Sequence, residues 1–216
     1  MVSLHVSTIQ RYSTKDGPGI RSTVFLIGCN LRCVWCSNPE LMLPGDKLLH
    51  FSSLCRKCQS CVRAYPDTVY MQDGELHMHK TAQLHSCELE EICPYDALEH
   101  TGMQVDPVTL VEQLLKDRIF YEESAGGVTF SGGEPLLQAE ALYDALYLLK
   151  QKGISVCVDT AGDVEWKVME KVASQCDLFL YDIKAYDNSV HQRITGVGNA
   201  RILDNARKLA AMHKPL

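Results

Sequence analysis

The sequence predicts an α/β fold, a parallel sheet with helices packed outside it. Three observations point there. Short apolar runs alternate with amphipathic helical patterns along most of the 216 residues. The residue groups suited to chemistry fall just after those apolar runs, the rim that carries the active site in barrel-type α/β folds. A content of 46% hydrophobic and 22% charged residues is that of a globular chain able to bury one sizeable core.

Taken in order, Thr23-Val-Phe-Leu-Ile-Gly28 reads as a buried strand. Residues 45–104 then break the alternation; rich in cysteine and without strong periodicity, they read as an inserted small domain. Val108, Val111, Leu114, Leu115 and Ile119 keep helical spacing and predict a helix over 107–119. Gly127-Val-Thr-Phe-Ser131 is the second buried strand, followed by a helix over 135–152 that Gly153 stops as a C-cap. Ile154–Asp159 and Leu178–Ile183 are the third and fourth strands, followed by helices over 164–175 and 199–213.

Charge and composition narrow the function. No apolar run approaches the ~20 residues that cross a bilayer, and the N-terminus has no signal-peptide pattern. A net charge of −6 without a basic stripe excludes a general nucleic-acid role. Six of the ten cysteines fall in two tight groups, which in a chain without an export signal reads as metal binding. Cys157 and Cys176 stand alone among apolar neighbours and are expected in the core.

The first group, Cys29, Cys33 and Cys36, has CxxxCxxC spacing. Three thiolates on one loop can hold three irons of a [4Fe–4S] cluster and leave the fourth open to a small molecule. A closed zinc site is the alternative, but it takes four ligands, usually in CxxC pairs. Ser131-Gly-Gly-Glu134 is a glycine-rich turn that lets the backbone approach a ligand, or a plain strand-to-helix turn. Asp159, Thr160 and Asp182 offer oxygens suited to a hard cation, or are salt-bridged strand ends. Gly17-Pro18-Gly19 fixes a tight loop after Asp16.

In the insert, Cys55, Cys58 and Cys61 give CxxCxxC, and the place of a fourth ferredoxin-type ligand before proline is taken by Tyr65-Pro66. Cys93-Pro94 has no CxxCxxC ahead of it. In two-cluster ferredoxins the fourth cysteine of each motif serves the other cluster. That crossover joins Cys93 to Cys55, Cys58 and Cys61 as one auxiliary [4Fe–4S] site, with Cys87 as the other candidate ligand and a zinc ribbon as the other site type. His77 and His79 are expected to face solvent, and His191 is expected to be structural.

CxxxCxxC, with Asp16-Gly-Pro-Gly-Ile-Arg21 ahead of it and Ser131-Gly-Gly-Glu-Pro135, Asp159-Thr-Ala-Gly162 and Tyr181-Asp-Ile-Lys184 behind it, resembles the radical S-adenosylmethionine (SAM) superfamily. Within it, the chain is similar to the glycyl-radical-enzyme activating enzymes, the group of pyruvate formate-lyase activase. The resemblance runs from about residue 5 to the end. It implies a partial (β/α)6 TIM-like barrel, 1–44 with 105–216, carrying a ferredoxin-like insert over 45–104. It also implies that the chain, which stops at Leu216 where a further strand is expected, is a C-terminally truncated piece.

The same resemblance assigns roles. Cys29, Cys33 and Cys36 would hold the core cluster. SAM would bind its open iron, and Trp35, Cys36, Ser37, Gly133, Glu134, Asp182, Ile183 and Lys184 would contact SAM. Asp159, Thr160, Asp182 and the Leu180 carbonyl would hold a monovalent cation. Asp16 would meet the glycine-bearing peptide of the substrate enzyme. Reduction of the cluster would cleave SAM to a 5′-deoxyadenosyl radical that abstracts hydrogen from one glycine of a partner enzyme. The auxiliary cluster would relay electrons from flavodoxin or ferredoxin, and the protein would be an anaerobic, cytoplasmic monomer. Radical chemistry on a small molecule or peptide is a second reading, and an electron carrier or inactive fragment a third.

Overall fold

The computed structural model describes residues 2–79, 82 and 85–216. In chain order the described strands are β1 (Leu4–Ser13), β2 (Arg21–Leu26), β3 (Lys47–His50), β4 (Val69–Gln72), β5 (Glu75–Met78), β6 (Leu98–Thr101), β7 (Met103–Val105), β8 (Gly127–Gly132), β9 (Ser155–Thr160) and β10 (Leu178–Tyr181). The described α-helices are α1 (Ser60–Ala64), α2 (Ser86–Ile92), α3 (Pro107–Leu114), α4 (Arg118–Ser124), α5 (Ala139–Gln151), α6 (Trp166–Ala173), α7 (Asn188–Thr195) and α8 (Ala200–Ala211). The chain divides into two units, Met1–Pro44 with Met103–Leu216, and Gly45–Gly102. Among the described residues no helix is long and apolar enough to cross a membrane.

The larger unit is a mixed α/β layer with the strand order β10-β9-β8-β2-β1-β7. β2, β8, β9 and β10 run parallel. Arg21 pairs with Gly127 and Leu26 with Gly132, so β2 and β8 end level and their following loops start side by side. On the other edge the sequence expectation falls short. β1 is a long strand antiparallel to both β2 and β7, not a βα unit.

Burial explains the helices. Asp106 caps α3 by accepting from the Val108 and Thr109 amides, both at 3.0 Å, with Pro107 in the first turn. The helix expected over 107–119 is interrupted. A 3-10 turn at Leu115–Asp117 separates α3 from α4 and places the Asp117 carboxylate on Arg11 and on the Ser22 hydroxyl. α5 buries Leu142, Leu146 and Leu149 completely, at helical spacing, against the sheet. α3 packs on α5, α5 on α6 and α6 on α8.

The smaller unit runs β-α-β-β-α-β. β3 pairs with β6, and β4 with β5, both antiparallel. Asp73-Gly74 closes the β4–β5 hairpin with φ of 51° and 78°, the pair of positive values that a two-residue primed turn needs. Among the described residues its buried core is Leu48, Val69, Leu76, Ala82, Leu89 and Leu98. His77 and His79 are exposed on this unit, their rings beside Tyr70.

Candidate active site and iron–sulfur ligand sets

A cleft of about 320 Å³, open to solvent, lies in the larger unit where β2, β8 and β9 end. Cys29, Cys33 and Cys36 line it on the loop after β2. Gly28 starts that loop at φ 103°, and its N–H donates to the Leu41 carbonyl at 2.7 Å, while the Cys29 N–H donates to Met42 at 3.0 Å. A turn bond from the Cys36 N–H to the Cys33 carbonyl at 3.1 Å folds the loop back. The thiols are partly enclosed, and burial pushes those of Cys29 and Cys33 above the ordinary range. Trp35 and Ser37 also line the cleft, with the Trp35 side chain half exposed.

The turn after β8 is stitched to this loop. The Gly133 N–H donates to the Leu26 carbonyl and the Glu134 N–H to the Gly28 carbonyl, both at 2.8 Å. A Cβ on Gly133 would overlap the Gly28 carbonyl, so only glycine permits this approach. Glu134 lines the cleft, but its carboxylate is spoken for. It accepts from the Leu136 amide at 3.1 Å, the Thr160 hydroxyl at 2.7 Å and the Ala161 amide at 3.0 Å. The side chain therefore ties the Gly-Gly-Glu turn to the end of β9. Burial pushes its pKa up to about 7, against those three donors.

Asp159, Thr160, Asp182 and Lys184 line the far wall. The Ser131 hydroxyl donates to Asp159 at 2.7 Å, and burial raises the Asp159 pKa. Lys184 pairs with Asp182. Burial pulls the Lys184 ammonium down, but its bond to Asp182 and the charges around it outweigh that and hold it above its ordinary value. Leu180 and Ile183 do not line the cleft; Leu180 lies within β10 opposite Asp159, and Ile183 is exposed. Asp16 reaches the cleft from the loop before β2. Its Oδ2 accepts from the Ser13 and Thr23 hydroxyls, both at 2.6 Å, and its carbonyl from Thr129 at 2.6 Å.

In the smaller unit Cys55, Cys58, Cys61 and Cys93 line one small pocket of about 20 Å³. Cys87 is exposed on α2 and does not line it. Cys93 Sγ accepts from the Ala97 amide at 3.3 Å, a bond of the kind that steadies a thiolate. Among the described residues no three Cys, His, Asp or Glu side chains close on one point as a single ion requires. Three thiols line the cleft of the larger unit and four line the pocket of the smaller one, donors of the type that iron–sulfur groups take. Cys157 and Cys176 are buried in the larger unit, and neither lines either cavity.

Sequence reasoning missed the supports of the cysteine loop. Asn30 Nδ2 donates to the Asp163 carbonyl at 2.7 Å, and α7, for which no helix is predicted, lies against the loop. The signal for α7 was present in Asp187 at its N-cap and Gly196 just past its end.

The family model of the radical SAM superfamily matches residues 23–215. The chain is 42% identical to the choline trimethylamine-lyase activating enzyme of Oleidesulfovibrio alaskensis, over 93% of this chain and 66% of that protein. It is 40% identical to the trans-4-hydroxy-L-proline dehydratase activating enzyme of Clostridioides difficile, over 96% of this chain and 69% of the relative. With the pyruvate formate-lyase 2-activating enzyme of Escherichia coli it shares 33% identity, over 95% and 62%. The chain thus spans about two thirds of the length of these relatives.

Proposed function

This chain belongs to the radical SAM superfamily and, within it, to the glycyl-radical-enzyme activating enzymes, and on that premise we propose that it installs a glycyl radical on a partner enzyme. The family implies one [4Fe–4S] cluster and SAM. Cys29, Cys33 and Cys36 would hold that cluster, which, once reduced by an external electron donor, would supply the electron for cleaving SAM to methionine and an adenosyl radical able to take a hydrogen atom from the partner's glycine. The protein's share of the work is placement. Gly133 lets the turn backbone come close to the cysteine loop, and Glu134 holds that turn against Thr160 and Ala161. Lys184 carries positive charge where a SAM carboxylate would need a partner. Asp16, with Oδ2 already bonded twice, keeps Oδ1 for a backbone N–H of the incoming glycine loop.

Cys55, Cys58, Cys61 and Cys93 would hold an auxiliary [4Fe–4S] cluster that passes electrons from flavodoxin or ferredoxin. Their shared pocket supports Cys93 over Cys87 as the fourth ligand. A monovalent cation at Asp159, Thr160, Asp182 and the Leu180 carbonyl is part of the same reading. It requires Lys184 to leave Asp182, and Asp159 to turn from Ser131. The partner class follows from the relatives, which are named as activating enzymes of lyases and dehydratases.

The observation that carries the proposal is the meeting of the three cysteines, the Gly-Gly-Glu turn and the Asp159, Asp182 and Lys184 wall in one cleft. The test is anaerobic reconstitution with iron and sulfide, then SAM and dithionite. Formation of 5′-deoxyadenosine that is lost in Cys33→Ser is expected. A chain that holds its iron, binds SAM and yields no 5′-deoxyadenosine would overturn the reading.

A further inference from the structure

α7 ends at Gly196, φ 84°, whose N–H donates to the Gln192 carbonyl at 2.9 Å. A helix end leaves its last carbonyls without partners inside the helix. Here the cysteine loop supplies them. The Val34 N–H donates to the Ile194 carbonyl at 3.0 Å, and the Arg32 N–H to the Thr195 carbonyl at 2.7 Å. Arg32 and Val34 flank Cys33, so the middle thiol of the loop is pinned on both sides by one helix end.

That helix end is itself set from within. His191 and Thr195 are wholly enclosed. His191 Nδ1 lies 2.7 Å from the Val197 carbonyl, so it carries the hydrogen and donates. The Thr195 hydroxyl donates to the His191 carbonyl at 2.8 Å and accepts from the Val197 N–H at 3.3 Å. Nε2 has no hydrogen-bond partner among the described residues, so the imidazole acts on the fold through Nδ1. The Asn199 amide closes the far side, donating to the Ala185 and Tyr186 carbonyls at 3.0 and 2.6 Å.

We propose that α7 is a brace that shapes the cysteine loop, with His191 and Thr195 as its positioning residues. The brace rests on hydrogen bonds among this chain's own residues, and only its consequence rests on the cluster reading above. That consequence is electronic. Hydrogen bonds to cluster sulfurs help set the reduction potential. The Arg32 and Val34 amides are committed to carbonyls, and the negative end of the α7 dipole faces the loop. Both keep the core cluster hard to reduce.

The experiment is residue-resolved amide hydrogen exchange on the iron-free full chain. In the wild type the Arg32 and Val34 amides should be protected. His191→Leu and Thr195→Val should each exchange them about tenfold faster or more, with β9 unchanged, because only the local opening is made easier. His191→Asn keeps an N–H within reach of the Val197 carbonyl and should restore protection. After reconstitution, the SAM-sensitive paramagnetic signal of His191→Leu should appear at a more positive potential than in wild type. The brace is overturned if Arg32 and Val34 exchange at the wild-type rate in Thr195→Val, the near-isosteric variant, or if β9 accelerates equally. Accelerated exchange in a chain that never holds iron would sink the cluster reading and leave the brace standing.

Discussion

Glu134 is wholly enclosed and is reached by three donors from two elements. Burial nonetheless raises its carboxyl from 4.5 to about 7. A folded value above the unfolded one means the unfolded chain gives up its proton first. The contribution is therefore full below about 4.5 and is lost as pH rises through about 7. At ~1.4 kcal/mol per pH unit of displacement the swing is on the order of 3 kcal/mol. Glu134→Gln cannot ionise, and its single acceptor oxygen faces three donors. It should melt below wild type at pH 4.5 and close most of that gap by pH 8, as read by thermal melts of the iron-free chain. Parallel melting curves would mean that the three donors hold Glu134 ionised throughout. Lys184→Met bears on the opposite wall. With the ammonium gone, Asp182 is free to bind a cation, so potassium should raise the melting temperature of the variant more than that of wild type. An equal effect of potassium on both would count against a cation at Asp182.

At the scale of elements, the cysteine loop and the Gly-Gly-Glu turn behave as one piece because two bonds, from Gly133 to Leu26 and from Glu134 to Gly28, cross between them. Gly133→Ala puts a methyl group against the Gly28 carbonyl and should displace the loop start. Iron bound per chain after reconstitution should drop by about one cluster's worth, while circular dichroism keeps the helix content. Full iron retention would show that the two segments can separate without loss. In α5, Leu146→Ala should cost about 2–5 kcal/mol in urea unfolding, since its neighbours in the sheet core cannot close the gap. The parallel strands were legible because strands buried on both faces are continuous apolar runs. β1 was not, since Leu4-His-Val-Ser-Thr-Ile-Gln mixes apolar and polar residues as an antiparallel strand with one wet face does. α7 escaped because Asn188–Thr195 has almost no apolar face; its buried residues are His191 and Thr195, and caps rather than hydrophobic spacing define it. For the site, the residue types and their strand-end positions were readable, but not their partners. Nothing in the spacing says that Glu134 faces Thr160, because that pairing depends on the register of β8 with β9.

On the scale of the whole chain, two separate hydrophobic cores accompany two separate sets of cysteines. The larger core is the sheet and its helices, while the smaller one has, among the described residues, six buried residues in its cluster and a pocket that four thiols help to line. A domain with so small a core commonly depends on a metal group for its stability. The proposed auxiliary cluster should therefore be a folding element of the smaller unit, whereas the core cluster should add little to the larger one. Replacing Cys55, Cys58 and Cys61 together by serine should lower iron and sulfide from about eight to about four per chain if both sites are cubanes. It should also make residues 45–102 sensitive to protease, with amide exchange in β8 and β9 unchanged. Replacing Cys29, Cys33 and Cys36 should remove the same amount of iron and abolish the response to SAM, with no new cleavage in the smaller unit. Recovery of one zinc per chain that disappears with Cys55, Cys58 and Cys61 would make the smaller unit a structural zinc module and end the relay proposal. Iron that survives in the triple-serine variant undiminished would place the auxiliary cluster elsewhere and refute the assignment of Cys93 with it.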